Sequence, residues 1–90
     1  MRTIDEKVLI VANDVQMDFL NDTIAYVKGE DSEDSYQYNH IYACGRLSAL
    51  YLVAEGFEAM TAVNKIRDDI NEKYDRTINI HKGIGWRRWL

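Results

Sequence analysis

The sequence has no proline, only one cysteine and no long hydrophobic run. With Cys44 alone, the chain cannot form an intrachain disulfide, so we expect a reducing compartment. No apolar run approaches the roughly 18 residues that a membrane helix needs. The run of five at residues 8–12 is too short for the hydrophobic region of a signal peptide. We therefore expect a cytoplasmic protein that does not associate with membranes.

Charge is unevenly distributed along the chain. The 90 residues include 11 Lys and Arg against 15 Asp and Glu, a formal net charge of -4. Residues 1–36 hold three basic and nine acidic side chains, whereas residues 37–90 hold eight basic and six acidic ones. This balance argues against direct binding to nucleic acid, because the dominant attraction to phosphate needs positive charge. The hydrophobic content of 47% indicates a folded protein, which we take as a single domain over residues 1–90.

Capping signals and hydrophobic spacing predict three helices. Thr3 and Glu6 have the spacing of a capping box and Gly29 is a stop signal, so we predict a first helix over residues 4–28. An acidic surface loop is predicted at residues 29–37. A second helix is predicted from Tyr38 to Glu55 and a third from about Phe57 to Asp75. The expected fold is mainly α, a compact three-helix antiparallel domain.

Two segments leave an α+β alternative open. Residues 7–12 are rich in β-branched side chains, which favour strands, and apolar residues alternate briefly within residues 77–81. The alternative fold therefore has a small sheet formed by these two segments. In both versions the chain ends in a short irregular or β-like C-terminal arm that turns at Gly83 and Gly85.

The first two predicted helices are apolar around most of their circumference. At 100° per residue the third helix has a single apolar face, formed by Ala59, Val63, Ile66, Ile70 and Tyr74. The first helix has an apolar strip of Val8, Val11, Val15, Phe19 and Tyr26, which Leu9, Ile10, Met17, Leu20, Ile24 and Val27 continue around the cylinder. The second helix is covered by Ile41, Tyr42, Leu47, Leu50, Tyr51, Leu52 and Val53. Three helices cannot enclose both, so we predict a homo-oligomer or a protein partner that covers the surplus.

Acidic residues form a candidate docking surface. Asp14, Asp18 and Asp22 recur every four residues and so lie on successive turns of the first helix. The loop extends this stripe with Glu30, Asp31, Glu33 and Asp34. A basic surface on a protein partner is the expected ligand. There are two alternative interpretations of these acids. They form a solvated face, or they bind a hard cation such as Mg²⁺.

The C-terminal string GWRRWL is a second candidate binding element. Trp86 and Trp89 flank Arg87 and Arg88, and these residue types are enriched in binding hot spots. Alternatively, the two tryptophans close the protein's own core, or they dock onto a sister subunit.

Two groups of residues have part of a metal-site pattern. His40 and Cys44 lie one helical turn apart, but a zinc site needs three or four protein ligands and the only other histidine is His81. The pattern ExxE…ExxD, formed by Glu55, Glu58, Glu72 and Asp75, resembles the Mg²⁺-binding pattern of the all-α nucleotide pyrophosphohydrolases. In that family, acids on facing helices converge on a metal bound to the substrate's phosphates. Here Glu58 and Glu72 fall on one predicted helix, roughly 20 Å apart, so no metal site or cofactor is predicted within one chain.

These features favour a non-catalytic protein that acts by binding. The leading hypothesis is a small, acidic, self-associating inhibitor or sequestering protein, similar in class to the small inhibitors encoded by phages and mobile elements. The alternative is an oligomeric nucleotide-binding protein, or a Mg²⁺-dependent nucleotide hydrolase, whose sites lie between subunits.

Overall fold

Three helices make up the fold. The computed structural model describes residues 3–81, which form α1 (Ile4–Val27), α2 (Glu33–Ala54) and α3 (Ala59–His81). No strand occurs within these residues, and the mainly α, three-helix prediction is confirmed. The alternative sheet is wrong because residues 7–12 belong to α1 and residues 77–81 to α3. The arm that follows His81 lies outside the described residues.

α1 begins and ends at the residues that its capping signals indicate. The Thr3 hydroxyl accepts a hydrogen bond from the Glu6 backbone N–H at 3.1 Å, as an N-cap does. At the other end Gly29 has a φ of 80°, a conformation that glycine adopts without steric cost. The Glu30 N–H then bonds the Ala25 carbonyl at 2.9 Å and closes a Schellman turn. The β-branched residues of this segment are held in a helix because apolar side chains reach the core at helical spacing.

α2 begins five residues earlier than predicted. Ser32 is its N-cap, and the Ser32 hydroxyl accepts a hydrogen bond from the Ser35 N–H at 3.1 Å. Glu33 and Asp34 therefore lie in the first turn, where the helix dipole favours negative charge. The predicted acidic loop is reduced to residues 28–32. The helix ends before Gly56, which has a φ of 85°.

α3 is held at both ends by contacts with α1. The Asp5 carboxylate accepts a hydrogen bond from the Ala59 N–H at 3.0 Å, so a residue distant in sequence caps the start of α3. The helix runs six residues past Asp75, and its last residue, His81, packs its ring 4.4 Å from that of Tyr26.

Aromatic rings fill the centre of the three-helix core. Tyr36 is fully buried between Phe19 and Tyr26, with ring centroids 5.4 and 4.5 Å away. Its hydroxyl lies 2.8 Å from the Thr23 hydroxyl, which donates to the Phe19 carbonyl at 2.9 Å. The predicted α3 face is correct at the buried positions Ala59, Val63, Ile66 and Ile70. Within the apolar strip of α1, Val11 is 40% exposed, because α2 and α3 pack on the side occupied by Ala12, Val15 and Phe19.

Large apolar side chains remain exposed on α1 and α2. Those on α1 include Ile10, Met17, Leu20, Ile24 and Val27, and those on α2 include Tyr38, Ile41, Tyr42, Leu52 and Val53. Within residues 3–81, apolar side chains of both helices that were expected to carry a surplus are thus exposed. None of the helices within residues 3–81 is both long and apolar enough to cross a membrane.

Candidate functional site

Two of the predicted acidic residues line one cleft between α1 and α2, and a third lies near it. Asp18 and Asp22 approach it from α1, and Asp31 lies close enough to influence the charge of Asp22. The cleft has a volume of about 310 Å³. Its lining combines an apolar floor with a polar rim, namely Val15, Phe19 and Ala43 below and Asp18, Asn21, Asp22, Asn39, Tyr42 and Arg46 around it. We call this region the acidic cleft.

The three carboxylates differ in their partners. Asp18 accepts a hydrogen bond from the Arg46 guanidinium at 3.1 Å and forms an ion pair with it. Asp31 accepts hydrogen bonds from the Ser32 N–H at 3.1 Å and from the Asn39 side-chain amide at 3.3 Å. Asp22 has no hydrogen bond or cation from the described part of the chain. Asp22 is therefore the carboxylate that an added cation would satisfy.

Burial and repulsion make Asp22 costly to ionise. Partial burial raises the pKa of Asp22, and the negative charges of Asp18 and Asp31 raise it further. A cation placed in the cleft would oppose all three effects. The arrangement is thus suited to bind a basic group, although nearby Arg46 already neutralises part of the charge.

The other predicted acids do not join the cleft. Asp14 is exposed on α1, and Glu30 and Asp34 are exposed beyond the end of α1. Glu33 accepts a long hydrogen bond of 3.5 Å from the Tyr26 hydroxyl on α1. Burial raises the pKa of Tyr26, and the neighbouring Glu33 adds to the shift. Of the residues predicted to form the acidic docking surface, only Asp18 and Asp22 line the acidic cleft, and Asp31 lies near Asp22.

The C-terminal binding element, Trp86, Arg87, Arg88 and Trp89, lies outside the described residues. Its role in binding stays a prediction.

The pyrophosphohydrolase-like acids are spread over two helices and the turn between them. Glu55 is the C-cap of α2, Glu58 lies in the turn that precedes α3, and Glu72 pairs with Arg76 on α3. Across residues 3–81, no group of three or more His, Cys, Asp or Glu side chains is placed to hold a metal ion. A hydrolytic site formed between subunits stays a prediction.

His40 and Cys44 belong to a polar cluster that the sequence indicated only in part. The Cys44 sulfur lies 3.5 Å from His40 Nε2 and 3.2 Å from Asn71 Oδ1. Asn71 Oδ1 also bonds His40 Nε2 at 2.8 Å, and the His40 ring stacks on Tyr74 at 4.0 Å. Asn71 was missed because only the packing of α2 on α3 brings it to His40.

This cluster has the residue types of a Cys-His-Asn catalytic site without its geometry. In such a site the cysteine and the orienting residue bond opposite ring nitrogens, whereas Cys44 and Asn71 both face Nε2 of His40. Burial raises the pKa of the Cys44 thiol, an effect that the charge of Arg67 only partly opposes. The thiol is therefore not activated as a nucleophile.

The chain was compared with protein-family models, curated proteins and solved structures, and no match was found in any of them.

Proposed function

We propose that this protein is a self-associating helical binding protein that docks on a basic protein partner through the acidic cleft. The observation that supports the docking most directly is Asp22, a partly buried carboxylate beside Asp18 and Asp31 that has no cation partner within residues 3–81. In this role the protein acts as an inhibitor or sequestering protein, since binding alone blocks the basic surface of the partner.

A lysine or arginine side chain is the ligand that fits the acidic cleft. Its charge would favour the ionised form of Asp22, and its aliphatic stem would contact the exposed ring of Tyr42. Asn39 and Tyr42 offer further polar contacts on the rim. Exposed ion pairs contribute only about 0–1 kcal/mol each, so specific docking needs several basic residues arranged along the partner.

Self-association is supported by the exposed apolar residues of α1 and α2. Monomeric proteins rarely expose contiguous apolar patches above a few hundred Å². Covering one of these faces with a second copy removes such a patch.

A peptide titration tests the docking. Amide chemical shifts of the ¹⁵N-labelled protein are followed while a synthetic arginine-rich peptide is added at low and at high salt. We expect shifts that cluster at the acidic cleft and weaken with salt, because screening reduces attraction between exposed charges. Asp22→Asn should weaken binding several-fold.

Asp14→Asn is the matched control, since it removes the same charge from α1 outside the acidic cleft. The docking proposal fails if Asp22→Asn and Asp14→Asn weaken peptide binding equally, or if the shifts fall elsewhere on the protein.

A further inference from the structure

One exposed face of α2 has the composition of an interface core. Tyr38, Gly45 and Leu52 recur every seven residues and so form a central line along the helix. Tyr42 and Ala49 flank this line on one side, and Ile41 and Ser48 flank it on the other. All seven residues are exposed, and we call them the α2 face. Between residues 38 and 53, Arg46 is the only Asp, Glu, Lys or Arg. Depletion of charge with retention of Tyr and Arg is typical of interface cores.

The α2 face is concave at its centre. A groove of about 470 Å³ is lined by Tyr38, Ile41, Tyr42, Gly45, Arg46 and Ala49. The rings of Tyr38 and Tyr42 stack 6.4 Å apart, and the Arg46 guanidinium lies 5.5 Å from the Tyr42 ring centroid, so one wall is preorganised. A Cβ added at Gly45 would meet no atom of residues 3–81 within 4 Å. The glycine therefore leaves room that no other residue of the described part of the chain fills.

We propose that the α2 face pairs with the α2 face of a second copy of this chain, with the two helices antiparallel and a twofold axis at Gly45. This inference rests on the self-association part of the proposed function and specifies its surface.

Twofold symmetry matches large side chains with small ones. A twofold axis at Gly45 places Tyr38 opposite Leu52 of the second copy and Gly45 opposite its own counterpart. Because an antiparallel pair brings equivalent sides of the two helices together, Tyr42 falls near Ala49 of the second copy and Ile41 near Ser48 of the second copy. The glycine pair lets the backbones approach closely at the centre. The same surface is thus complementary to itself, as a twofold interface requires.

The large side chains of the α2 face supply about half of the area that a standard interface buries. Tyr38, Ile41, Tyr42 and Leu52 are 67%, 60%, 57% and 70% exposed. Together they offer on the order of 400–500 Å² of mostly apolar surface per copy. A standard interface buries about 800 Å² per partner, so the smaller residues and the rim must supply the remainder. We expect micromolar self-association.

The flanking residues favour the α2 face over the exposed face of α1. On α1, exposed apolar residues also recur every seven positions, at Ile10, Met17 and Ile24. The equivalent twofold pairing, with its axis at Met17, would bring Asp14 of each copy near Asn21 of the other. A carboxylate in that position would lose water without gaining a cation, which costs free energy. The four residues that flank the central line of the α2 face are all uncharged.

Sedimentation velocity of the full chain over a range of concentrations tests the pairing, with Gly45→Leu as the principal variant. A leucine at position 45 fits the isolated chain and has a higher helix propensity than glycine. It would fill the space that the second copy needs. We expect wild type to dimerise and Gly45→Leu to weaken dimerisation by about tenfold or more. Its helical circular dichroism should be unchanged, which separates a blocked interface from a fold defect.

Two control variants locate the interface. Thr61→Leu adds the same side chain at an exposed position of α3, and Met17→Lys places a charge on the exposed face of α1. Both should dimerise like wild type. A dimer that survives Gly45→Leu, or that is lost in Met17→Lys alone, would overturn the α2 pairing and leave self-association intact. A wild-type protein that stays monomeric throughout would overturn both.

Discussion

The buried hydroxyl pair of Thr23 and Tyr36 allows a quantitative test of the core. The Thr23 hydroxyl donates to the Phe19 carbonyl, so the Tyr36 hydroxyl must donate to Thr23 across 2.8 Å. Thr23→Val keeps the side-chain shape but leaves the fully buried Tyr36 hydroxyl without an acceptor. A buried polar group left unsatisfied costs about 1–3 kcal/mol. For a domain of this size, each kcal/mol lowers the Tm by about 4–8 °C.

Tyr36→Phe should be the milder change. It removes the donor, while the Thr23 hydroxyl keeps its bond to the Phe19 carbonyl. We expect a loss of about 0.5–1.5 kcal/mol in the free energy of unfolding. The double variant should cost less than the sum of the two single changes, because it leaves no buried hydroxyl without an acceptor.

Urea unfolding followed by circular dichroism measures all four proteins of this cycle. Protein concentration must be equal throughout, since self-association contributes to apparent stability. The reasoning is refuted if Thr23→Val costs no more than Tyr36→Phe, or if the two changes are additive.

Three further predictions concern residues outside this pair. Asp5→Ala should lower the free energy of unfolding by about 1 kcal/mol in urea unfolding, because the Ala59 N–H loses its cap, whereas Asp5→Asn should keep most of the stability. The pKa of Asp22 is higher in the folded than in the unfolded protein. The free energy of unfolding therefore falls as the pH rises from the unfolded pKa of Asp22 to its folded pKa. At neutral pH, Asp22→Asn should therefore be more stable than wild type by a few tenths of a kcal/mol, because it removes a partly buried charge and its repulsion with Asp18 and Asp31. Below about pH 4 the two proteins should be equally stable. Cys44 should react with iodoacetamide more slowly in the folded than in the urea-unfolded protein, because burial raises its pKa.

Each of these three predictions has a result that would contradict it. Equal stability of Asp5→Ala and wild type would mean that the contact to α3 contributes nothing. A lower melting temperature for Asp22→Asn at neutral pH would show that Asp22 has a stabilising partner. Faster alkylation of Cys44 in the folded state would indicate an activated thiol.

Local signals in the sequence were enough to predict α1. Thr3 is the N-cap and accepts from the Glu6 N–H, and Gly29 follows the C-cap Lys28, so both signals act through backbone groups within a few residues. The start of α2 was missed because Ser32 stands within a run of polar residues and lacks a Glu or Gln three positions later. The cap consists of one hydrogen bond, which the Ser35 N–H donates to the Ser32 hydroxyl. A helix that begins with a single serine cap has the same local composition as a polar loop, so the sequence alone does not distinguish the two.

The candidate site could be predicted only in part, because its residues come from more than one helix. Four-residue spacing placed Asp18 and Asp22 on one side of α1, but their meeting with Asp31 and Arg46 depends on how α2 packs. The same packing sends Glu33 toward Tyr26 and leaves Asp14 exposed. By contrast, the surplus of apolar surface could be foreseen, because it follows from counting apolar positions around each helix.

Disulfide trapping at position 45 tests the central claim, self-association through the α2 face, most directly. Helices packed 8–10 Å apart, with Cα atoms about 2.3 Å from each axis, bring facing Cα atoms to about 3.4–5.4 Å, which overlaps the range of about 4.4–6.8 Å for a disulfide. In a Cys44→Ser background, Gly45→Cys should form a covalent dimer on mild oxidation, whereas Met17→Cys should form no covalent dimer. Absence of the covalent dimer at position 45, or its equal formation at position 17, would contradict the claim.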